Sequence, residues 1–250
     1  MKTVLAWHFC RADMRTQFTD EPIVVGETLT ATGALELCEN GMHASERVVD
    51  ALRYAPGATL CQVELSGEIL SGDDKLCARH RKVLAAVDIT PQLQEFALLC
   101  AERVLPVYEK QHPDDKRVRR CIATTREYLR GATTLDELRG ACDGAYSAAH
   151  DAYARAACAA AAAADTADTA HAASDTAHAA SNAAHAASNA AYVTYVANAA
   201  CAAAYAAYAA AYAAAYAAAY AAASRADARK TERDWQEATL ISLLPKHLTA

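Results

Sequence analysis

The side chains that could do chemistry gather early in the chain. His8 sits in an alternating stretch, and Cys38, Asn40, Gly41, His43 and Ser45 follow in one short Gly-x-His-x-Ser segment, with Glu64 as a later acid. The set His8, His43, Ser45 and Glu64 offers polar groups that could hold a dinucleotide and a carboxylate that could stabilise a developing sugar cation. The same residues also have a purely structural reading. Asn40-Gly41 makes a tight turn, His43 satisfies backbone groups, and Ser45 caps a helix.

Three further sets compete with it. Cys38, His43, Cys77 and His80 supply four zinc-type ligands, though with looser spacing than a CxxC pair. His171, His178 and His185 recur every seven residues. Neighbours seven apart on a helix lie ~10.5 Å apart along its axis, too far to share one ion, so a polar seam that tunes packing with pH is the expectation. Glu102, Arg103, Glu109, Asp114, Asp115, Arg117 and Arg119 are acids and arginines at helical spacing. They read as salt bridges fixing the entry of a helical domain, with binding as their second role.

Two textures must position these residues. Residues 1–90 alternate like strands at 3–9, 60–65 and 83–89, with a short strand at 22–26. A helix over 46–54 is capped by Ser45 and stopped by Pro56-Gly57, which makes a small α+β domain. From Thr90 the pattern turns helical. Pro91 opens a helix, Pro106 kinks it or starts the next segment, 112–115 is a loop, and 117–129 is amphipathic. Thr134 and Glu137 fit a capping box for a helix that enters the alanine run, and 240–244 is a final apolar docking segment before Pro245.

The alanine run spans about 144–223 and has no glycine or proline between Gly144 and Pro245. Alanine is the best helix former because it loses no side-chain entropy. Ala170, Ala173, Ala177, Ala180, Ala184 and Ala187 form a heptad seam that would let two helix axes approach closely. Tyr208, Tyr212, Tyr216 and Tyr220 then repeat every four residues, and a turn is expected near 189–198. Folding back into a hairpin or bundle, or packing between copies into an oligomer or filament, both fit this run. Thr166, Thr169, Thr176 and Thr194 keep no register for an ice-binding face.

Composition narrows the classes. The chain has 250 residues and a net charge of −6, which disfavours nucleic-acid binding through a basic surface. No lysine or arginine occurs between Arg155 and Arg225, and polar residues interrupt the alanines, so neither a membrane-surface nor a membrane-spanning helix is expected. Nine cysteines are scattered singly. With the short apolar start they suggest reduced thiols in the cytoplasm.

Two segments resemble known families. The stretch from Cys100 to Glu109 followed by that from His112 to Arg119 resembles the helical immunity-protein domain of bacteria and their phages. That domain also carries alanine- and tyrosine-rich helices after the motif, and it usually has proline where this chain has Val118. Trp7, His8 and Phe9, the segment 37–45, Asp50 to Tyr54, and Asp74-Lys75 resemble an uncharacterised domain common in phage genomes. The His8 strand and its Gly-x-His-x-Ser turn also resemble small ADP-ribosyltransferase-like folds, which implies transfer of ADP-ribose from NAD. The expectation is therefore an α+β protein, with a small α+β domain over 1–90 and an alanine-rich helical domain over 91–250. It would act without catalysis in phage–host conflict, through a protein partner or self-association on its helical domain. NAD-dependent transfer is the alternative, with NAD or zinc as the cofactors to weigh, and an oligomer- or filament-forming structural role is the other alternative.

Overall fold

The computed structural model describes residues 3–17, 19–162, 178–187, 189–190, 212, 216 and 225–249. The architecture is α+β, as the two textures predict. Strands β1 (Val4–Cys10), β2 (Thr28–Thr30), β3 (Met42–Ala44), β4 (Thr59–Ser71) and β5 (Leu76–Asp88) form one antiparallel sheet, with the short helix α1 (Val48–Leu52) between β3 and β4. The longer helices α2 (Thr90–Gln111), α3 (Arg117–Leu129) and α4 (Leu135–Ala162) follow, and α5 (Arg225–Leu243) comes near the end.

The chain divides into two compact units. Of the described residues, those within 1–93 and 237–250 form the first and those within 94–198 and 206–236 the second.

In the first unit β4 and β5 form a long hairpin, flanked by β1 on β4 and by β2 and β3 on β5. The Trp7–Ser45 bridge, whose two backbone hydrogen bonds measure 2.7 and 2.9 Å, joins β3 back to β1. Strands β1, β4, β5 and β3 therefore close a circuit. Closure satisfies strand edges that would otherwise be open. Alternation along β4 buries Cys61, Val63 and Leu65 on one face. Gly67 does not end β4; the strand continues past a bulge there. Gly67 has φ +81°, and a Cβ would lie 2.8 Å from Arg79 Cβ, so the bulge requires glycine.

Two local expectations are corrected. Residues 22–26 form no regular strand: Pro22 makes an isolated bridge to Arg15, and Gly26 at φ +92° turns the chain into β2. Ser45 does not cap α1. Its backbone is spent on the bridge to Trp7, while the Glu237 carboxylate accepts 3.0 Å hydrogen bonds from Val48 N–H and Val49 N–H. The C-terminal segment docks on this unit, as its apolar residues predict: Leu240, Leu244 and Leu248 are buried, and the Leu248 carbonyl accepts a 3.1 Å bond from Gln62.

In the second unit Pro106 lies inside α2. The predicted capping box closes α4: Thr134 N–H donates to Glu137 at 3.0 Å, and Glu137 N–H donates back to Thr134 Oγ1 at 3.3 Å. Residues 178–187 are helical, and Ala180, Ala184 and Ala187 of the predicted seam are fully buried. Ser181 donates to the Ala149 carbonyl at 3.1 Å and Cys121 to that of Ala187 at 3.4 Å, so small side chains bring backbones together here. Ala170, Ala173, Ala177, His171, the threonines Thr166, Thr169, Thr176 and Thr194, Tyr208 and Tyr220, and residues 191–198 of the expected turn lie outside the described residues.

Candidate functional site

The site is built from the closed strand circuit and α1, all within the first unit. β1 contributes Trp7 and His8, the turn before β3 contributes Cys38 and Glu39, β3 contributes His43, α1 and its exit contribute Ala51 and Tyr54, and β5 contributes Arg81. Together they line a cavity of about 570 Å³.

The turn is rigid for local reasons. Asn40 Nδ2 donates 2.7 Å bonds to the carbonyls of Thr32 and Ala34. Gly41 has φ +140°, and a Cβ there would lie 2.2 Å from Cys77 Sγ. Only glycine fits. His43 Nε2 accepts a 3.1 Å bond from Cys38 N–H, and its ring also hydrogen-bonds the Gly41 backbone. Both polar edges of this imidazole are therefore used to brace the turn, as the structural reading of the sequence anticipates.

His8 and His43 meet here, and both are held neutral. Burial, then Arg81, then His43 push His8 well below the usual imidazole range. Burial, then Lys75 and Arg81, lower His43. Cys10 and Cys61 place their sulfurs 3.5 Å apart. The hydrogen bond with Cys61 pulls the Cys10 thiol down and pushes that of Cys61 up. At the rim Tyr54 donates 2.8 and 2.9 Å bonds to Asp74, which Arg53 also engages at 2.8 Å. Lys75 sits 4.1 Å from the Tyr54 ring centroid.

Of the predicted set His8, His43, Ser45 and Glu64, the cavity unites the first three and not the fourth. Paired residues on adjacent strands share a face, and consecutive residues alternate. His8 pairs with Cys61, whereas Glu64 pairs with Leu5, three residues further along β4 and so on the opposite face. Glu64, the acid that the sequence offered for a sugar cation, is therefore not at the histidines. Ser45 is 1% exposed and held by the strand bridge. The four zinc-type residues do not converge either. Cys77 lies opposite His43, but its thiol donates to the Asn40 carbonyl at 3.3 Å, and His80 bonds Thr30 at 3.0 Å on another stretch of β5. Among the described residues no group of three or more His, Cys, Asp or Glu could hold a metal.

Sequence reasoning missed Arg81. It lies in the run Arg79, His80, Arg81, Lys82, just ahead of the strand expected at 83–89. Yet Arg81 is 4% exposed, because it shares the inward face with Leu65, its partner on β4. Alternation inside a charged run was the one available signal.

The predicted charged set in the second unit is brought together in pairs. Arg119 grips Glu109 through bonds of 2.5 and 2.6 Å, and Arg126 grips Glu102 at 2.6 Å. Arg117 bridges Asp115 and Asp151 at 2.6 Å each. Asp115 also accepts from Tyr108 at 2.8 Å, and these bonds, chiefly that from Arg117, hold its carboxyl far below the usual range. Arg103 pairs with the buried Glu232 at 2.7 Å and lies over the Trp235 ring at 4.3 Å. Asp114 is exposed. His185, from the histidine stripe, packs edge-on to Tyr146 and His150 with ring centroids 5.8 and 6.2 Å away. His178 is partly buried, and His171 lies outside the described residues.

Two family models match the chain in tandem. Residues 4–95 match a domain of unknown function (DUF7666), and residues 90–193 match the Imm-5 like putative immunity protein family. The order is the one that the sequence resemblance implied. No curated protein and no solved structure matches significantly. Among the described residues no helix is long and apolar enough to cross a membrane.

Proposed function

We propose that the chain is an immunity-type binding protein that holds a protein partner on its helical unit. The observation that carries this reading is the match of residues 90–193 to an immunity family. The geometry narrows the surface. Glu102, Arg103, Glu109, Asp115, Arg117 and Arg119 are engaged in intramolecular pairs that tie α2, α3, α4 and α5 together. They act as scaffold rather than as the recognition face. α4 exposes Asp136, Asp143, Tyr146 and His150 at helical spacing; Tyr146 is 52% exposed, while its ring also meets His150 and His185 edge-on. An exposed aromatic on a rigid helix is the type of residue that anchors protein interfaces. The setting would be toxin neutralisation or anti-defence in phage–host conflict, inside the host cytoplasm. Self-association through the alanine-rich helices is the variant that light scattering separates from it.

The test is growth rescue. The full chain is co-expressed with a panel of bacterial toxin domains, alongside Tyr146→Glu and Asp143→Arg variants whose folding is checked by circular dichroism. Rescue from one toxin that either variant weakens tenfold or more supports the reading. Rescue that both folded variants leave intact, or the absence of rescue across the panel, overturns it.

A further inference from the structure

The cavity of the first unit holds a buried cation that no carboxylate among the described residues pairs with. Arg81 is 4% exposed, and its Nη1 donates a 2.7 Å bond to the His43 carbonyl. Its Nε is buried without a hydrogen-bond partner, and no carboxylate among the described residues pairs with it. Removing a guanidinium from water is expensive unless an anion compensates it. The remaining charges repeat the imbalance. Arg15, Arg53, Lys75 and Arg81 line the cavity, against Glu39 as the one lining carboxylate. Arg15 is engaged by Asp20 at 3.1 Å and Arg53 by Asp74 at 2.8 Å, which leaves Lys75 and Arg81 without a carboxylate among the described residues. His8 and His43, both neutral, add no negative charge, and the thiol pair Cys10 and Cys61 is protein-bonded.

The rest of the lining is mixed: Trp7, Phe9, Met42 and Tyr54 stand beside the hydroxyl and amide side chains of Thr16, Gln17, Thr19 and Ser45. Trp7 and Tyr54 bring aromatic rings to the lining, and the Lys75 ammonium lies over the Tyr54 ring. A volume of about 570 Å³ falls within the ordinary range of small-molecule sites and has room for a base, a sugar and phosphates. We propose that this cavity binds a phosphorylated, ring-bearing small molecule of the nucleotide class. In it Arg81 is the interior anion-pairing group, Lys75 is the second cation, and Trp7 or Tyr54 stacks on the ring. His8, whose side chain has no hydrogen-bond partner among the described residues, is free to contact the ligand. The inference is independent of the partner-binding role proposed for the helical unit.

The test is titration calorimetry on the purified full chain with ADP, GDP and UDP, with adenosine and inorganic phosphate as partial ligands. At least one diphosphate is expected to bind tenfold or more tightly than either partial ligand. Arg81→Met is expected to weaken that binding at least tenfold and Lys75→Gln several-fold, each variant being checked for native circular dichroism. Tyr54→Ala or Trp7→Ala is expected to weaken the diphosphate while leaving phosphate unchanged. If Arg81→Met fails to fold, Lys75→Gln and the ring variants decide. No diphosphate binding at millimolar concentration, adenosine binding as tightly as the diphosphates, or full affinity in folded Lys75→Gln and Arg81→Met overturns the proposal. Phosphate binding alone, with no gain from the nucleoside, also overturns it and reassigns the cavity to a simple anion.

Discussion

At the scale of single residues, chemistry and scaffold share the same few positions. Gly41 was legible as a turn residue, but what forbids any other side chain is the sulfur of Cys77, 36 residues away in sequence and opposite His43 on β5. Gly41→Ala would combine a left-handed φ with overlap against Cys77, and should cost roughly 2–4 kcal/mol, read as a shift of the urea midpoint at unchanged slope. His8 carries a pH dependence whose sign is fixed. Its folded pKa is depressed by burial, Arg81 and His43, so between the ordinary imidazole value and the folded one the unfolded chain binds the extra proton. Stability is complete above about pH 6.5 and falls as pH drops below it, by at most about 1.4 kcal/mol per pH unit for each such histidine. Denaturant titrations from pH 7.5 to 5 should show that loss. His8→Gln should flatten it in part, with the remainder shared by His43 and His185, whose pKa values are lowered in the same direction. An unchanged profile in His8→Gln would mean that the imidazole is not buried neutral. The misplaced Glu64 has a simple origin. Sequence spacing shows that an acid follows on a strand, but which face it takes depends on the register with β1, and that register is tertiary.

At the scale of elements, local signals were legible and remote ones were not. The α4 capping box needs only residues three apart, so Thr134 and Glu137 announced it. Thr134→Ala should cost about 1 kcal/mol, seen as a lower denaturation midpoint and faster amide exchange in the first turn of α4. The cap of α1 had no such signature, because its acceptor, Glu237, lies 189 residues from Val48. Ser45 was the better local candidate, and it lost because closing the strand circuit through Trp7 uses its backbone and buries it. The strand β5 was half legible. Its apolar end was expected as a strand over 83–89, but the run Arg79 to Lys82 hid the rest of Leu76–Asp88. Only pairing with β2, β3 and β4 shows why so charged a segment is extended. Paired strands on both sides satisfy its backbone whatever its side chains prefer. In the second unit, the helix limits over 117–129 and the inward positions Val118, Cys121, Ile122 and Thr125 followed from the 3.6-residue period, whereas Leu129, expected on the same side, is only partly buried and Thr124 is buried as well.

At the scale of the whole molecule, sequence texture suggested a chain read from one end to the other, while the first unit is made from both ends. Residues 237–250 supply the acceptor for two α1 amides, a carbonyl for Gln62, and three buried leucines. Each buried leucine is worth about 1.5–3 kcal/mol, and an uncapped α1 would leave two N–H groups without that acceptor. A small sheet domain of this size has little stability to spare. The segment should therefore act as a structural part of the cavity-bearing unit, even though the sequence places it after the alanine run. Ending the chain before Glu237 should then collapse amide-exchange protection in β1, α1 and β4, while α3 and α4, which pair through Arg117 and Asp151, keep theirs. The milder Glu237→Gln keeps the leucines and weakens the cap, and should cost about 1 kcal/mol with the loss confined to α1. Protection in β1 and α1 that survives the truncation would show that the first ninety residues stabilise themselves. Loss spread evenly over α3 and α4 would show that the two units unfold as one.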